Sequence, residues 1–424
     1  MANDTSPANA SNGGSSPGQD YLRAAERVLS GSFDSEEERS NVLLKTYEMM
    51  GRIETPWETY VRVLANQPAV TATFKVMKDL RVFELWNKQG NEPMTASQVA
   101  GLVDGKADPA LLPIDRLLRL LASNHLVEQV PVGRFKPGRF CMELNTHISP
   151  LLEYYCGATH RIFGKMPAVM ADMGYKNPSD GKDTIFQHAM HWKGDLWSFM
   201  KENPVMAEHF NMVQKNSTIK EPSWMRMYPH QKMVAEADPS LPLFVDVGGG
   251  IGHDLMRLHD AYPETASRLY LADLPEVVAE NIVPDSIKKV DYDFFTPQPV
   301  KRTSNNDPVA KAEQFEDAKA YYLHHIIHDW SDEPARKILE MQKTAMKPGY
   351  SRLLIHDQIL DDEKSQMNTA AFDILMMVYL AGMERTEKQW LALLDSVGLK
   401  VVKFWKKPPD NFSIIEVELP SSKF

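Results

Sequence analysis

Cysteine is scarce. The 424-residue chain has two, Cys141 and Cys156. That is too few for a disulfide framework, and both are expected as buried thiols in a reducing cytoplasm. No stretch comes near 18 uninterrupted apolar residues, so no membrane partner is expected. The N-terminus lacks a charged segment followed by an apolar one, so no secretory signal is read there. Clustered positive charge is missing too. Against 47 Lys and Arg stand 57 Asp and Glu, a net charge of −10, which argues against a protein built to grip a phosphate backbone. A small-molecule substrate, and no nucleic acid, is expected. The length exceeds what one core normally supports, so more than one domain is expected.

Residues 1–19 are small and polar and cannot bury enough surface to offset their ordering entropy, which predicts a disordered tail. Residues 20–150 read as a helical, winged-helix domain. Helical spacing runs from Tyr21 to Leu64. Ala69 to Trp86 is too apolar for a helix with one wet face and reads as a core or subunit-interface helix. Thr95 can cap a short helix, and Pro113 opens a second with Ile114, Leu117, Leu118, Leu120 and Leu121 inward. Two strand-like pieces follow, Leu126 to Pro131 and Gly138 to Leu144. With only Asp115, Arg116 and Arg119 as charges on the second helix, a scaffold or dimerisation role is preferred to DNA binding. Residues 151–238 are helical and rich in Met and aromatics, a linker placed to line an apolar pocket. From 239 to 424 strands alternate with helices as in a doubly wound α/β sheet. Strand signals lie at 241–247, 268–273, 287–292, 319–326, 351–358, 399–405 and 412–418. The last two form an antiparallel edge hairpin, and Pro297 to Asp317 is a surface insertion.

Within that sheet, Asp246-Val-Gly-Gly-Gly-Ile-Gly252 joins a buried strand to a helix start, the makings of a ligand cradle. Gly248, Gly250 and Gly252 fit G-x-G-x-G. A dinucleotide fingerprint would need glycine or alanine at 253, where the chain has His. Asp273, 25 residues beyond Gly248, ends a second strand and suits ribose hydroxyls. With no pyrophosphate site, S-adenosylmethionine (SAM) fits better than NAD.

Ligands of such sheets bind at the carboxyl ends of the strands. The strand Tyr321 to Ile327 delivers His328-Asp-Trp-Ser-Asp332 to that edge. Three histidines, 324, 325 and 328, suggest a metal. On a strand, however, 324 and 325 point to opposite faces and no acid or thiol completes a set, so no metal is expected. His328 is the candidate general base. Asp357, read as ending the strand Arg352 to His356, and Glu384, in a loop before a helix, are candidate acids to hold its tautomer. Asp329 braces its loop, and Trp330 is core or a wall against adenine.

The blocks DVGGGIG (246–252), ADLP (272–275), HDWSD (328–332) and GMERT (382–386), in this order, resemble the plant-type and fungal SAM-dependent O-methyltransferases, akin to caffeate O-methyltransferase. The resemblance covers roughly residues 70–424. It implies a Rossmann-like class I methyltransferase sheet with an N-terminal winged-helix dimerisation domain, a homodimer, and methylation of a hydroxyl with S-adenosylhomocysteine as product. By resemblance Asp246, Gly248, Gly250 and Gly252 hold the cofactor. Asp273 and Leu274 lie at the ribose, and Asp293, Phe294 and Trp330 flank adenine. His324 stands where relatives often carry lysine. His328 is the base, and Asp357 and Glu384 are its acids, the first usually Glu. Trp197, Met200, Phe210, Asp373 and Met377 fall in the acceptor pocket. Relatives in secondary metabolism that keep the fold but catalyse pericyclic, decarboxylating or hydroxylating reactions supply the alternative.

Overall fold

The computed structural model describes residues 16–103, 113–131, 133–145, 148–220, 223–300, 317–407 and 412–421. The chain divides into two compact units, residues 1–60 and 61–424.

The first unit is three helices, Pro17–Ser30, Glu36–Ile53 and Pro56–Tyr60. Residues 17–19, predicted disordered, open the first of them: Ser16 and Gln19 form a reciprocal cap and Pro17 suits the first turn. The rest of the predicted tail lies outside the described residues. None of these helices buries a residue completely, and Leu22, Leu29, Ile53 and Trp57 are exposed.

In the second unit the apolar stretch 69–86 is two helices, not one. Gln67–Asp79 and Val82–Lys88 are separated by Arg81 in the left-handed region, at φ 56°. The break lets Phe74, Met77, Val82, Phe83 and Trp86 all reach one core. Thr95 caps Ala96–Ala100 as predicted, with Gln98 closing the capping box, and Ile114–Ser123 buries Ile114, Leu118 and Leu121. Strands β1 (Met94–Thr95), β2 (Val127–Val130) and β3 (Arg134–Pro137) form a small antiparallel sheet in the order β1-β3-β2. The second hairpin strand is thus 134–137, and the piece read as strand from Gly138 is a helix, Arg139–Glu143. Its Cys141 and the following Leu144 share the buried helical face.

The main sheet contains β4 (Phe244–Val247), β5 (Leu269–Asp273), β6 (Lys288–Asp291), β7 (Ala320–His324), β8 (Arg352–Leu360), β10 (Lys400–Lys406) and β11 (Phe412–Glu418), in the order β10-β11-β8-β7-β4-β5-β6. A short β9 (Arg385–Thr386) pairs with the end of β8. β6, β5, β4, β7 and β8 run parallel, while β11 and β10 close the edge antiparallel, as predicted. Strands buried on both faces read as continuous apolar runs, and β4 is buried throughout. Apolar clusters cover the two faces. One centres on Tyr321, Leu339, Ile355 and Trp390, the other on Trp224, Phe244, Leu255 and Leu354. The supposed insertion begins inside the protein: Gln298 and Val300 are buried, and Gln298 donates to Gln342 at 2.9 Å. Residues 301–316 lie outside the described residues. Among the described residues no helix is long and apolar enough to cross a membrane.

Candidate functional site

The carboxyl end of β4 opens into the glycine turn. Gly248, Gly250 and Gly252 sit at φ 67°, 59° and 97°, a region L side chains rarely adopt. A Cβ on Gly250 would meet nothing within 4 Å, so this is where the cradle is open. Asp273, at the end of β5, accepts from the Gly250 N–H at 2.8 Å and from the Leu274 N–H at 2.7 Å. Burial raises its pKa. Asp246 lies under the turn, 2.5 Å from where a Gly249 Cβ would stand. It is buried, its Oδ2 lacks a hydrogen-bond partner, and burial pushes its pKa well up. An open backbone cradle flanked by a committed carboxylate and a buried, unsatisfied one fits a cationic nucleoside such as SAM.

To one side, the Trp330 ring meets Phe295 edge-on at 4.8 Å and Phe294 at 6.1 Å. The Phe294 ring comes within 3.7 Å of a Cβ position on Gly248. Asp293 and Leu274 are exposed, and Asp293 accepts from the Phe295 N–H at 2.9 Å. All of these except Trp330 follow β5 or β6, so the aromatic group gathers at the turn from two crossovers.

β7 ends at His324, and here the structure departs from expectation. His325 takes φ 55°, so its ring does not point to the opposite face. It stacks on His324 at 4.3 Å and lies 5.0 Å from His328. His324 also stacks on His356 at 4.0 Å, and its Nδ1 lies 2.6 Å from Asp254 Oδ2. Tyr322 ties the same group together, its hydroxyl 3.1 Å from Asp254 and 2.8 Å from His356 Nδ1. Asp254 is on the helix His253–Ala261 that leaves the glycine turn. His324, expected at the cofactor, instead pairs with that helix.

His328 stands in a short turn, Ile327–Asp329, and is buried. Its Nδ1 lies 2.9 Å from Glu384 Oε1, also buried, and its Nε2 lies 3.4 Å from Asp329 Oδ1. Asp357 is not at a strand end: β8 runs on to Leu360, held by pairing with β9 and β11. Asp357 is wholly buried, and neither carboxylate oxygen has a hydrogen bond. Burial works to keep the His328 ring neutral, but Glu384, Asp329 and Asp357 outweigh it and push its pKa up to about 10. Burial also lifts Asp329 to about 6 and Asp357 to about 7. The pocket therefore holds a strongly basic imidazole among three acids.

Backbone packing sets this pair. A Cβ on Gly382 would fall 2.2 Å from the His328 carbonyl oxygen, and the Met383 N–H donates to that oxygen at 2.9 Å. Asp373 accepts from the Glu384 N–H at 2.9 Å. It thus braces the acid from the helix Met367–Leu380. Arg385, fully buried, donates to the carbonyls of Ile327 and Trp330 and to Asp332. Gly382 and Arg385 belong to the GMERT block, but no local spacing reveals either role, since both act on backbone more than 50 residues away. A Gly382→Ala substitution is expected to wedge the two loops apart and to destabilise the protein by about 1–3 kcal/mol. A lowered urea midpoint together with reduced kcat would show it.

Met200 is buried, with Phe210 and Met377 packed against the same apolar cluster, which also holds Phe186 and Tyr379. Trp197 is 41% exposed and meets Phe210 edge-on at 5.9 Å. Of the expected pocket residues, Met200, Phe210 and Met377 thus share one apolar cluster, Trp197 touches it through Phe210, and Asp373 stands one helical turn before Met377.

Comparison with known proteins identifies the family. The O-methyltransferase domain family matches residues 176–400. The O-methyltransferase mfmE of Annulohypoxylon moriforme is 44% identical over 402 residues, covering 95% of this chain and 96% of that one. The structure of LepI in complex with SAM has a TM-score of 0.80 at 25% identity, covering 95% of this chain and 99% of that one. A structure described as a pericyclic reaction enzyme gives the same score and identity, covering 95% and 100%. Glycine cradle, family match and relatives converge: the chain belongs to the S-adenosylmethionine-dependent O-methyltransferase family.

Proposed function

We propose that this methyltransferase acts on a phenolic hydroxyl of an aromatic or polyketide-like secondary metabolite, with His328 as general base. The observation that carries it is the buried contact between His328 Nδ1 and Glu384 Oε1 at 2.9 Å. It fixes the tautomer with Nε2 as acceptor. A phenol releases its proton near pKa ~10, and the acids around His328 raise the ring to about 10. The neutral ring, the form whose Nε2 accepts the proton, therefore grows as pH rises toward about 10, and kcat/KM is expected to rise with it.

Gly248, Gly250, Gly252 and Asp246 hold the cofactor, with Asp273 and Leu274 at the ribose and Phe294, Asp293 and Trp330 around adenine. Bound there, SAM supplies an electrophilic methyl group. The protein aligns the acceptor oxygen, keeps water out with the wall of Met200, Phe210, Met377 and Trp197, and receives one proton at His328. His324 contributes indirectly, by holding the helix after the glycine turn through Asp254.

The exposed apolar side chains of the N-terminal helices, Leu22, Leu29, Ile53 and Trp57, support a homodimer in which a second copy covers them. The capped helix, the helix Ile114–Ser123 and the β2–β3 hairpin support a winged-helix module within it.

A second reading is a SAM-binding enzyme of pericyclic or other non-methylating chemistry, favoured by the likeness to a pericyclic reaction enzyme. Assays with SAM and a phenolic panel separate the two. Methylation releases one S-adenosylhomocysteine per acceptor consumed; product formation without that release ends the methylation reading.

Glu384→Gln removes the anion that stabilises the imidazolium. The His328 pKa falls, so the rising limb of kcat/KM against pH is expected to move toward acid by roughly 1–3 units. A limb that stays in place would rule out Glu384 as the partner.

A further inference from the structure

His325, His328 and Asp357 each present one ligand atom, and the three atoms lie within 4.8 Å of one another. A His325 that followed strand geometry, with no acid nearby, would exclude a metal here. The left-handed turn at His325 and the buried position of Asp357 remove both conditions. Asp357 is an independent sign. It is wholly buried with both oxygens unpartnered, a costly state that a cation relieves. Glu384 on His328 Nδ1 leaves the Nε2 lone pair, with Asp329 Oδ1 at 3.4 Å, to ligate once its proton is lost, and a carboxylate behind a ligating imidazole is the usual support of a metal-bound histidine. Two imidazoles three residues apart after β7 and a carboxylate from β8 suit zinc or a neighbouring divalent ion.

The other His–Asp group, Asp254, His324 and His356, has equally close atoms. Its Asp254 oxygen is already shared by His324 and Tyr322. Its two rings stack at 4.0 Å and 24°, and the Nδ1 atoms of both are already engaged, by Asp254 and Tyr322.

We propose that the protein binds one divalent first-row transition ion through His325, His328 and Asp357, and that this ion excludes methyl transfer by occupying the nitrogen that accepts the proton. The second half rests on the base reading above; the binding does not.

The test uses full-length, chelator-treated protein. Zn²⁺ is expected to bind at one equivalent by calorimetry, and Co²⁺ to develop saturable visible ligand-field bands. His325→Ala and Asp357→Asn should each weaken Zn²⁺ binding at least about tenfold, while circular dichroism confirms the fold. His325→Ala should also need at least about tenfold more Zn²⁺ for half-inhibition. No saturable binding, or binding untouched by both substitutions, overturns the site and leaves the base reading standing. Tight binding with undiminished turnover overturns the exclusion and removes His328 from proton transfer.

Discussion

His328→Ala is expected to lower kcat by roughly 10²- to 10⁴-fold, the usual worth of a positioned base, with SAM affinity little changed. The separation follows from geometry. The His328 ring faces Glu384 Oε1 at 2.9 Å, with Asp329 and Asp357 around it, whereas the cradle is built from backbone at 248–252 and from Asp273. Removing the imidazole empties the acceptor side and leaves the glycine turn alone. Single-turnover rates and calorimetric SAM binding measure the two effects apart. A variant at full rate would end the base assignment. A large loss of SAM affinity with an unchanged single-turnover rate would make His328 a cofactor contact instead.

Gly250→Val should act in the opposite sense. Position 250 has φ 59° and a Cβ there would enter open space. Ordinary core overpacking is therefore not at issue. The substitution brings backbone strain of about 1–2 kcal/mol and a branched side chain in the cradle itself. SAM affinity is expected to fall by at least about 100-fold, that is by nearly 3 kcal/mol, while the protein still folds. Gly250→Ala at the same φ carries similar strain with less bulk and should lose less. If the two variants lose SAM affinity alike, strain in the turn and not bulk in the cradle is what matters. A Val variant that binds SAM normally would remove the glycine turn from the site.

Much of this arrangement is legible in the amino-acid sequence. The apolar run at 241–245, the glycines and the run ending at Asp273 foretell a strand, a turn and a second strand with an acid at its end because each rests on local chemistry that tertiary packing does not override. The same holds for Thr95, whose cap depends only on Gln98 three residues on. Other features are hidden because they depend on distant backbone. Nothing local says that β8 runs past Gln358: its last two residues are kept extended by Arg385 and Thr386, 26 residues away in the chain. Nothing local turns His325 back toward His328 either. Period-2 spacing assigns it the wrong face because the strand has already ended. The helix at 139–143 escapes for a related reason: a run as short as Phe140-Cys-Met142 between two charged residues fits a strand or a helix about equally well.

Gly382 lies in contact with the His328 backbone, and it closely follows the helix Met367–Leu380 that carries Asp373 and Met377. The helix that carries the proposed acceptor-wall residues is therefore also the lever arm of the His328–Glu384 pair. Enlarging that wall to admit a bulkier molecule will tilt the proton acceptor as well. On the proposed reading selectivity and speed share one hinge, and altered acceptor range should come most cleanly from Trp197, which is exposed on a different helix, Leu196–Glu202.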